Sequence, residues 1–447
     1  MSPRRAPALL ASATAVAWLA LTTGYGAAAA TTGVDLGGEP LPSKASTSPE
    51  TPTALAPGLW RTTLSPSYPQ YFSYQRRING SRVHIGVLGA PQGDSSDSIR
   101  VLAGVATEGS SDLTGCGDES DNAESSVPEA VIGARVVVGG EDGSTGETCR
   151  DAGTVQIQVN RGYASPTTDL PYVIKVVEEA PSSGTGEEKA DDAPSYDRPE
   201  AGRSEPLKGA ASFDQAPEID AQDGPATVST TIPEGSEQLW RIPLTWGDLP
   251  VVRVDVTAAK DEEAFAYSGP NLTLHLVDPM RGRLVHADSE AEDSPTGQYL
   301  AESADRDPTV LVGSGFPVRQ VDDRLPGDYW VSLAVSPRPE TDERKAVAVP
   351  VRLTVAISHH GGSAPTYDGV VVSQDKKTSL DGYSPDRPFL VGEDTFAAVA
   401  SGSPVGGDGW FSTRHWAGLG LAAASVACLG AGLVRLRAVR SSSRPRR

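Results

Sequence analysis

The stretch that decides the fold lies at residues 238–256 and reads QLWRIPLTWGDLPVVRVDV. A polar-aromatic run is followed by a loop, and Val252, Val254 and Val256 then alternate with polar residues. Apolar residues at every second position place one face of a β-strand in a core. The stretch therefore predicts two consecutive strands, one of them half-buried.

An earlier part of the chain repeats this plan. Residues 70–88 contain the runs QYFSYQR and RVHIGVL, the second of which alternates in the same way as VVRVDV. The two copies also end alike, because residues 155–177 and 329–357 each contain a strand-like run, a polar loop and a second strand-like run. This similarity indicates that the chain contains two copies of one domain.

The composition suits β domains with many turns. Aromatic residues make up 6% of the 447 residues, and the chain has 47 Gly and 36 Pro. Short alternating runs separated by Gly, Pro, Asp and Ser are typical of antiparallel sandwiches. We predict an all-β protein with two tandem antiparallel β-sandwich or jelly-roll domains, an N-terminal signal peptide and one C-terminal transmembrane helix. The predicted division is 1–30 signal peptide, 31–53 flexible leader, 54–180 first β-sandwich, 181–223 acidic disordered linker, 224–360 second β-sandwich, 361–415 flexible stalk, 416–434 transmembrane helix and 435–447 basic cytoplasmic tail.

Three runs of the second copy resemble a known domain type. LWRIPL at 239–244, LTLHLVDP at 272–279 and LPGDYWVSLAV at 325–335 are similar to the PPC-like (bacterial pre-peptidase C-terminal) β-sandwich. The whole layout resembles actinobacterial secreted surface proteins that carry tandem domains of this type and a single membrane anchor. The resemblance implies a secreted, non-catalytic accessory role, and it specifies no catalytic or ligand-binding residues.

Both ends of the chain predict export and membrane anchoring. Arg4 and Arg5 precede an apolar run, and Ala28–Ala30 offers a small-residue cleavage site for signal peptidase. An uncleaved N-terminal anchor is the alternative. Residues 416–434 carry no charge and span about 28 Å as a helix, which matches a bilayer core. Because arginines follow this run, the positive-inside rule places the C-terminus in the cytoplasm and the ectodomain outside the cell.

The net charge and the cysteines limit which kinds of ligand and which bonds the sequence predicts. A net charge of −20 argues against nucleic-acid binding, which needs basic patches. Cys116 and Cys149 lie in the exported part, where a disulfide is expected, with two free thiols as the alternative. The acidic run CGDESD makes Asp118, Glu119 and Asp121 weak candidates for calcium binding, with a solvated loop as the alternative.

Catalytic motifs are missing from the sequence. It contains no H-E-x-x-H, and no Ser/His/Asp set can be assembled from sequence context. We therefore predict a non-enzyme without a cofactor. Trp246 lies in the loop TWGDLP and is the candidate for stacking on a glycan, whereas a tryptophan inside a strand is more often part of a core.

The sequence thus predicts a membrane-anchored extracellular protein that binds, or presents itself to, a protein partner in the envelope. The resemblance to actinobacterial surface proteins implies that proteins with a von Willebrand A domain are among such partners. Tethering would raise the local concentration of the two proteins at the membrane. The alternative is a surface module that binds cell-wall glycan.

Overall fold

A computed structural model describes most of the two predicted domains. The residues that it describes are 33–77, 80–91, 97–106, 113–123, 131–139, 146–161, 168–179, 181, 197–256, 271–284, 296–298, 309–314, 317–319, 323–336, 348–359, 365, 371–372 and 378–379. The predicted signal peptide, transmembrane helix and cytoplasmic tail lie outside these residues. In the described part of the chain, no helix has the length and apolar character needed to cross a membrane.

The described residues form strands and one short helix. In chain order these are β1 (Glu39–Pro40), β2 (Thr53–Leu55), β3 (Gly58–Leu64), β4 (Gln70–Gln75), β5 (Arg82–Gly89), β6 (Ser98–Ala106), β7 (Leu113–Asn122), β8 (Ile132–Val138), α1 (Gly146–Asp151), β9 (Thr154–Asn160), β10 (Leu170–Glu179), β11 (Glu205–Pro206), β12 (Ala226–Pro233), β13 (Ser236–Leu244), β14 (Asp248–Val256), β15 (Asn271–Val277), β16 (Arg283–Leu284), β17 (Thr296–Gln298), β18 (Thr309–Ser314), β19 (Gly327–Val335), β20 (Ala348–His359), β21 (Val371–Val372) and β22 (Thr378–Ser379).

Four larger sheets build two sandwiches. In the first sandwich, sheet A1 has the strand order β1-β3-β10-β5-β8 and sheet B1 has the order β2-β4-β9-β6-β7. In the second sandwich, sheet A2 has the order β11-β12-β20-β14-β18, and sheet B2 has the order β13-β19-β15-β16 with β17 also paired to β15. Within the predicted stalk, β21 and β22 pair with each other. The prediction of an all-β, sandwich-like architecture is confirmed.

The alternating runs fill the cores as predicted. Val83, Ile85 and Val87 of β5 are fully buried in the hydrophobic core of the first sandwich. The corresponding valines of β14, identified above from their spacing, are fully buried in the core of the second. The period of two that is visible in the sequence therefore locates the inward-facing side of both strands.

The two sandwiches share one topology. Each A sheet places its last long strand, β10 or β20, between its first long strand, β3 or β12, and its second, β5 or β14, and the B sheets follow the corresponding order. The likeness includes a two-residue strand at the sheet edge. Glu39–Pro40 pairs in parallel with β3, and Glu205–Pro206 pairs in parallel with β12 at the equivalent positions. Each structural repeat therefore begins upstream of its predicted boundary.

The described parts of the predicted leader and linker, residues 33–53 and 197–223, differ from the prediction of flexible segments. Phe213 is 2% exposed, and Leu36 and Ile219 are also buried. The two segments pair with each other, since Asp35 N donates to Ala211 O at 2.9 Å and Phe213 N donates to Asp35 O at 3.0 Å. A few well-spaced apolar residues and backbone hydrogen bonds order these segments, although their composition is typical of disorder.

Candidate functional site

One face of the first sandwich is covered by the second. On β10, Ile174 and Val176 point into the core of the first sandwich, whereas Val173, Lys175 and Val177 are buried on the opposite face. A hydrophobic cluster spans the contact between the sandwiches. Its members include Leu88, Val131, Val173, Phe213, Val277 and Trp330. The central strand β10 of sheet A1 is therefore packed on both faces.

A tight turn of the second sandwich, residues 278–282, fits against sheet A1. Within the turn, Gly282 N donates to Asp278 Oδ1 at 2.8 Å. The fit depends on a missing side chain, because a Cβ atom at Gly86 would lie 1.7 Å from the carbonyl oxygen of Met280. The amino group of Lys175 donates to the carbonyl oxygen of Pro279 at 2.8 Å.

Arg281 belongs to the same turn, 278–282, and its guanidinium stacks against two aromatic rings. Its guanidinium carbon lies 4.3 Å from the ring centroid of Phe213 and 4.2 Å from that of Trp330. Such cation–π stacking is strongest when the charge is desolvated. Burial lowers the pKa of Arg281 to about 10, and the carboxylates of Asp214 and Asp278 oppose this shift. The arginine therefore remains charged at neutral pH and connects the linker segment to β19 of the second sandwich.

Ion pairs surround the turn. Arg135 of β8 lies 3.2 Å from Asp278, and Arg82 of β5 lies 3.2 Å from Asp323. Paired and hydrogen-bonded charges can be buried at tolerable cost, while removing one partner leaves the other charge uncompensated. These ion pairs hold the turn in a defined position against sheet A1.

The buried Lys175 gives a pH-dependent prediction. Burial lowers the pKa of Lys175 well below its usual value, and nearby Arg281 lowers it further. Between this depressed pKa and about 10.4, the unfolded chain binds more protons than the folded chain, so stability rises with pH. The Lys175→Met variant lacks this contribution, whose slope is at most about 1.4 kcal/mol per pH unit. Urea unfolding from pH 7 to 9.5 should show a variant-minus-wild-type difference that falls as pH rises, and a constant difference would contradict the assignment.

The three calcium candidates do not converge. Asp118 and Asp121 lie on opposite faces of β7, because they are three positions apart in the strand. A hydrogen bond from Arg100 lowers the pKa of Asp118, whereas desolvation raises the pKa of Glu119. Asp121 pairs with Arg283 of the second sandwich and accepts a hydrogen bond from Gly133 N at 2.7 Å. Among the described residues, no group of three His, Cys, Asp or Glu side chains could hold a metal ion.

Trp246 is not available to a ligand, which corrects the predicted glycan contact. Its side chain is 4% exposed and belongs to the core of the second sandwich. The backbone turns at Gly247, which has a φ of +86° and donates to Val318 O at 2.8 Å. The loop therefore directs the indole inward, and sequence position alone does not reveal this.

The predicted disulfide is confirmed. Cys116 of β7 and Cys149 of α1 are bonded, with their Cα atoms 5.6 Å apart. Both cysteines are buried at the edge of the core of the first sandwich. The bond attaches the edge strand of sheet B1 to the helix that precedes β9.

The outer face of sheet B1 carries the candidate site. A groove of about 730 Å³ lies between strands β9, β6 and β7 and the loop 65–69, which joins β3 to β4. Its polar lining includes Arg100, Asp118, Ser120, Asn122, Gln158 and Asn160. Strand register aligns these side chains in rows, because Asn160 pairs with Arg100, which in turn pairs with Ser120. We call this the B1 groove.

The two arginines of the B1 groove are each paired within the protein, and Glu119, which also lines the groove, is partly desolvated, which raises its pKa. Arg100 Nε donates to Asp118 Oδ1 at 2.7 Å. The buried Arg161 forms a bidentate pair with Asp97 at 2.9 and 2.5 Å and donates to the carbonyl oxygen of Leu64 at 3.3 Å. Arg161 thereby holds the start of the loop 65–69. The result is a groove rich in hydrogen-bonding groups but with little net charge.

Tyr68 at the tip of the loop is the exposed aromatic of the groove. It is 64% exposed and is the large hydrophobic side chain that stands out in solvent among the described residues. Pro66 and Pro69 flank it. Sequence reasoning missed this site. The only local signal was the SPSYP turn, because the polar partners come from strands far away in the chain.

Comparisons with known proteins do not indicate a family or a function for this chain. No family model and no curated protein matches the chain. Tripeptidyl Peptidase 2 is similar over 74% of this chain and 26% of its own, with 8% identity and a TM-score of 0.19. The tandem CBM22-1-CBM22-2 domain of Paenibacillus barcinonensis Xyn10C is similar over 67% of this chain and 85% of its own, with 8% identity and a TM-score of 0.18. Similarities this weak carry no argument about function.

Proposed function

We propose that this protein is a non-enzymatic binding protein of the outer cell surface, anchored in the membrane by residues 416–434, which recognises a component of its own cell envelope through the B1 groove. The observation that carries the proposal is that the two sheets of the first sandwich differ in the accessibility of their outer faces. Sheet A1 is covered by the second sandwich, whereas the outer face of sheet B1 holds the groove and the exposed Tyr68.

The architecture supports presentation rather than catalysis. The turn 278–282, the stacked Arg281 and the surrounding ion pairs hold the two sandwiches together. A rigid body presents its binding face with little loss of conformational entropy on binding. Anchoring to the membrane would then raise the effective concentration of the groove near envelope ligands. The envelope protein partner, including one with a von Willebrand A domain, stays a prediction.

Site-specific photocrosslinking in intact cells tests this proposal. A photoreactive amino acid replaces Tyr68 in the full-length chain, and in a matched control it replaces Gln75, which is exposed on the same sheet face but outside the groove. We expect an adduct with an envelope component from position 68, and mass spectrometry identifies its chemical class. Absence of an adduct, or equal yields from both positions, would contradict a binding role for the groove.

A further inference from the structure

We infer that the ligand of the B1 groove is a neutral saccharide chain, an inference that rests on the function proposed above. The groove combines a fixed set of planar polar side chains with one exposed aromatic ring, and both of its arginines are paired internally. Each of these three properties favours a saccharide over the other polymers of a cell envelope.

The polar lining suits hydroxyl groups. Asn122, Gln158 and Asn160 each carry a carboxamide, which offers two donor hydrogens and an acceptor oxygen side by side. Every sugar hydroxyl is both a donor and an acceptor, and neighbouring hydroxyls on a ring present such pairs at short spacing. Because these side chains project from paired strands, their positions are set before the ligand arrives.

The aromatic contact suits the apolar face of a sugar ring. Tyr68 combines a flat apolar surface with a hydroxyl group, and it stands at the edge of the polar groove. Prolines on both sides restrict the backbone of its loop, and Arg161 holds the loop at its base. The ring can therefore cover the C–H face of a pyranose while the carboxamides bind its hydroxyls.

The charge distribution favours a neutral ligand. Among the described residues that line the groove, Arg100 is paired with Asp118 and Arg161 with Asp97, so neither arginine is available to an anion, and Glu119 adds a carboxylate that disfavours one. The chain as a whole has a net charge of −20, which repels polyanionic wall polymers. A neutral polysaccharide meets no such barrier.

The position of the groove disfavours an extended peptide. Beneath it, β9 and β6 are each hydrogen-bonded on both sides, so neither has a free edge to which a peptide strand could be added, and the edge strand β7 lies only at the border of the groove. Protein interfaces usually depend on apolar anchors that become fully buried at their centre. The lining of the B1 groove is dominated by Ser, Asn, Gln and charged side chains instead.

Binding of the full-length protein in detergent to immobilised polysaccharides tests the inference. The probes are neutral mannan, arabinan and galactan, the polysaccharide extracted from the cell's own envelope, and polyanionic polygalacturonate. We expect retention on at least one neutral probe, changing less than about twofold between low and high salt, because no counterions are released. Retention on the polyanion alone, with loss at high salt, would overturn the inference.

Groove variants localise the binding. Tyr68→Ala and Gln158→Ala are each expected to weaken retention about tenfold or more, which is the effect of about 1.4 kcal/mol. Tyr68→Phe should retain most of the binding because it keeps the ring, and the control Gln75→Ala should bind as the wild type does. Equal retention of Tyr68→Ala and wild type would contradict the site. Thermal melting checks that each variant is folded.

The inference and the proposed function can fail separately. If no polysaccharide is retained while the photoreactive group at position 68 captures an envelope protein, the saccharide inference is wrong and the binding function stands. If neither experiment detects a ligand at the groove, both are wrong.

Discussion

Replacing Gly86 by valine is expected to destabilise the protein by about 3 kcal/mol and to loosen the contact between the two sandwiches. A Cβ atom at this position would lie only 1.7 Å from the carbonyl oxygen of Met280. The obstacle is backbone and not a flexible side chain, so either strand β5 or the turn 278–282 must move. Movement of the turn would also disturb the hydrogen bond from Lys175 and the stacking of Arg281.

Urea unfolding followed by tryptophan fluorescence measures this effect, because Trp330 lies at the contact and donates from its indole nitrogen to Phe213 O at 3.1 Å. We expect a lower transition midpoint and an altered emission of the folded state. The matched control is Gly153→Ala, since a Cβ at Gly153 meets nothing within 4 Å. Similar midpoints for Gly86→Val and wild type would show that the close approach is not required.

Removing the disulfide is the second change with a large expected effect. The bond between Cys116 and Cys149 closes a loop with a sequence separation of 33. On the chain-entropy model, its loss lowers the free energy of unfolding by about 4 kcal/mol. We expect the Cys116→Ser, Cys149→Ser double variant to unfold at a markedly lower temperature. Because Cys116 lies on β7, which lines the B1 groove, ligand binding should weaken as well.

Chemical reduction provides the comparison for the double variant. Wild-type protein treated with a thiol reductant should unfold at the same temperature as the double variant. The third cysteine, Cys428, lies in the predicted transmembrane helix, and Cys428→Ser should behave as the untreated wild type does. A reductant-insensitive melting temperature would contradict a stabilising role for the bond.

The sequence by itself determined the strands of the cores. Val83, Ile85 and Val87 alternate because the β-pleat directs successive side chains to opposite faces, and this rule acts on neighbouring residues. Local patterns of this kind also revealed the repeat, and the predicted export of the chain led to the pairing expected for Cys116 and Cys149. The repeat was nevertheless placed too far along the chain, because a two-residue parallel strand such as Glu39–Pro40 has no pattern of its own.

Only the tertiary structure decided which faces are free. Trp246 lies in a loop, yet the turn at Gly247 directs it into the core. By local propensity, a glycine at position 86 only weakens its strand, yet in the folded protein its missing side chain makes room for the carbonyl oxygen of Met280. Tyr68 and Gln158 meet at one groove although a long stretch of chain separates them. Whether a side chain is buried, and which side chains meet at one site, depends on residues that are distant in sequence. Only the folding of the chain brings those residues together.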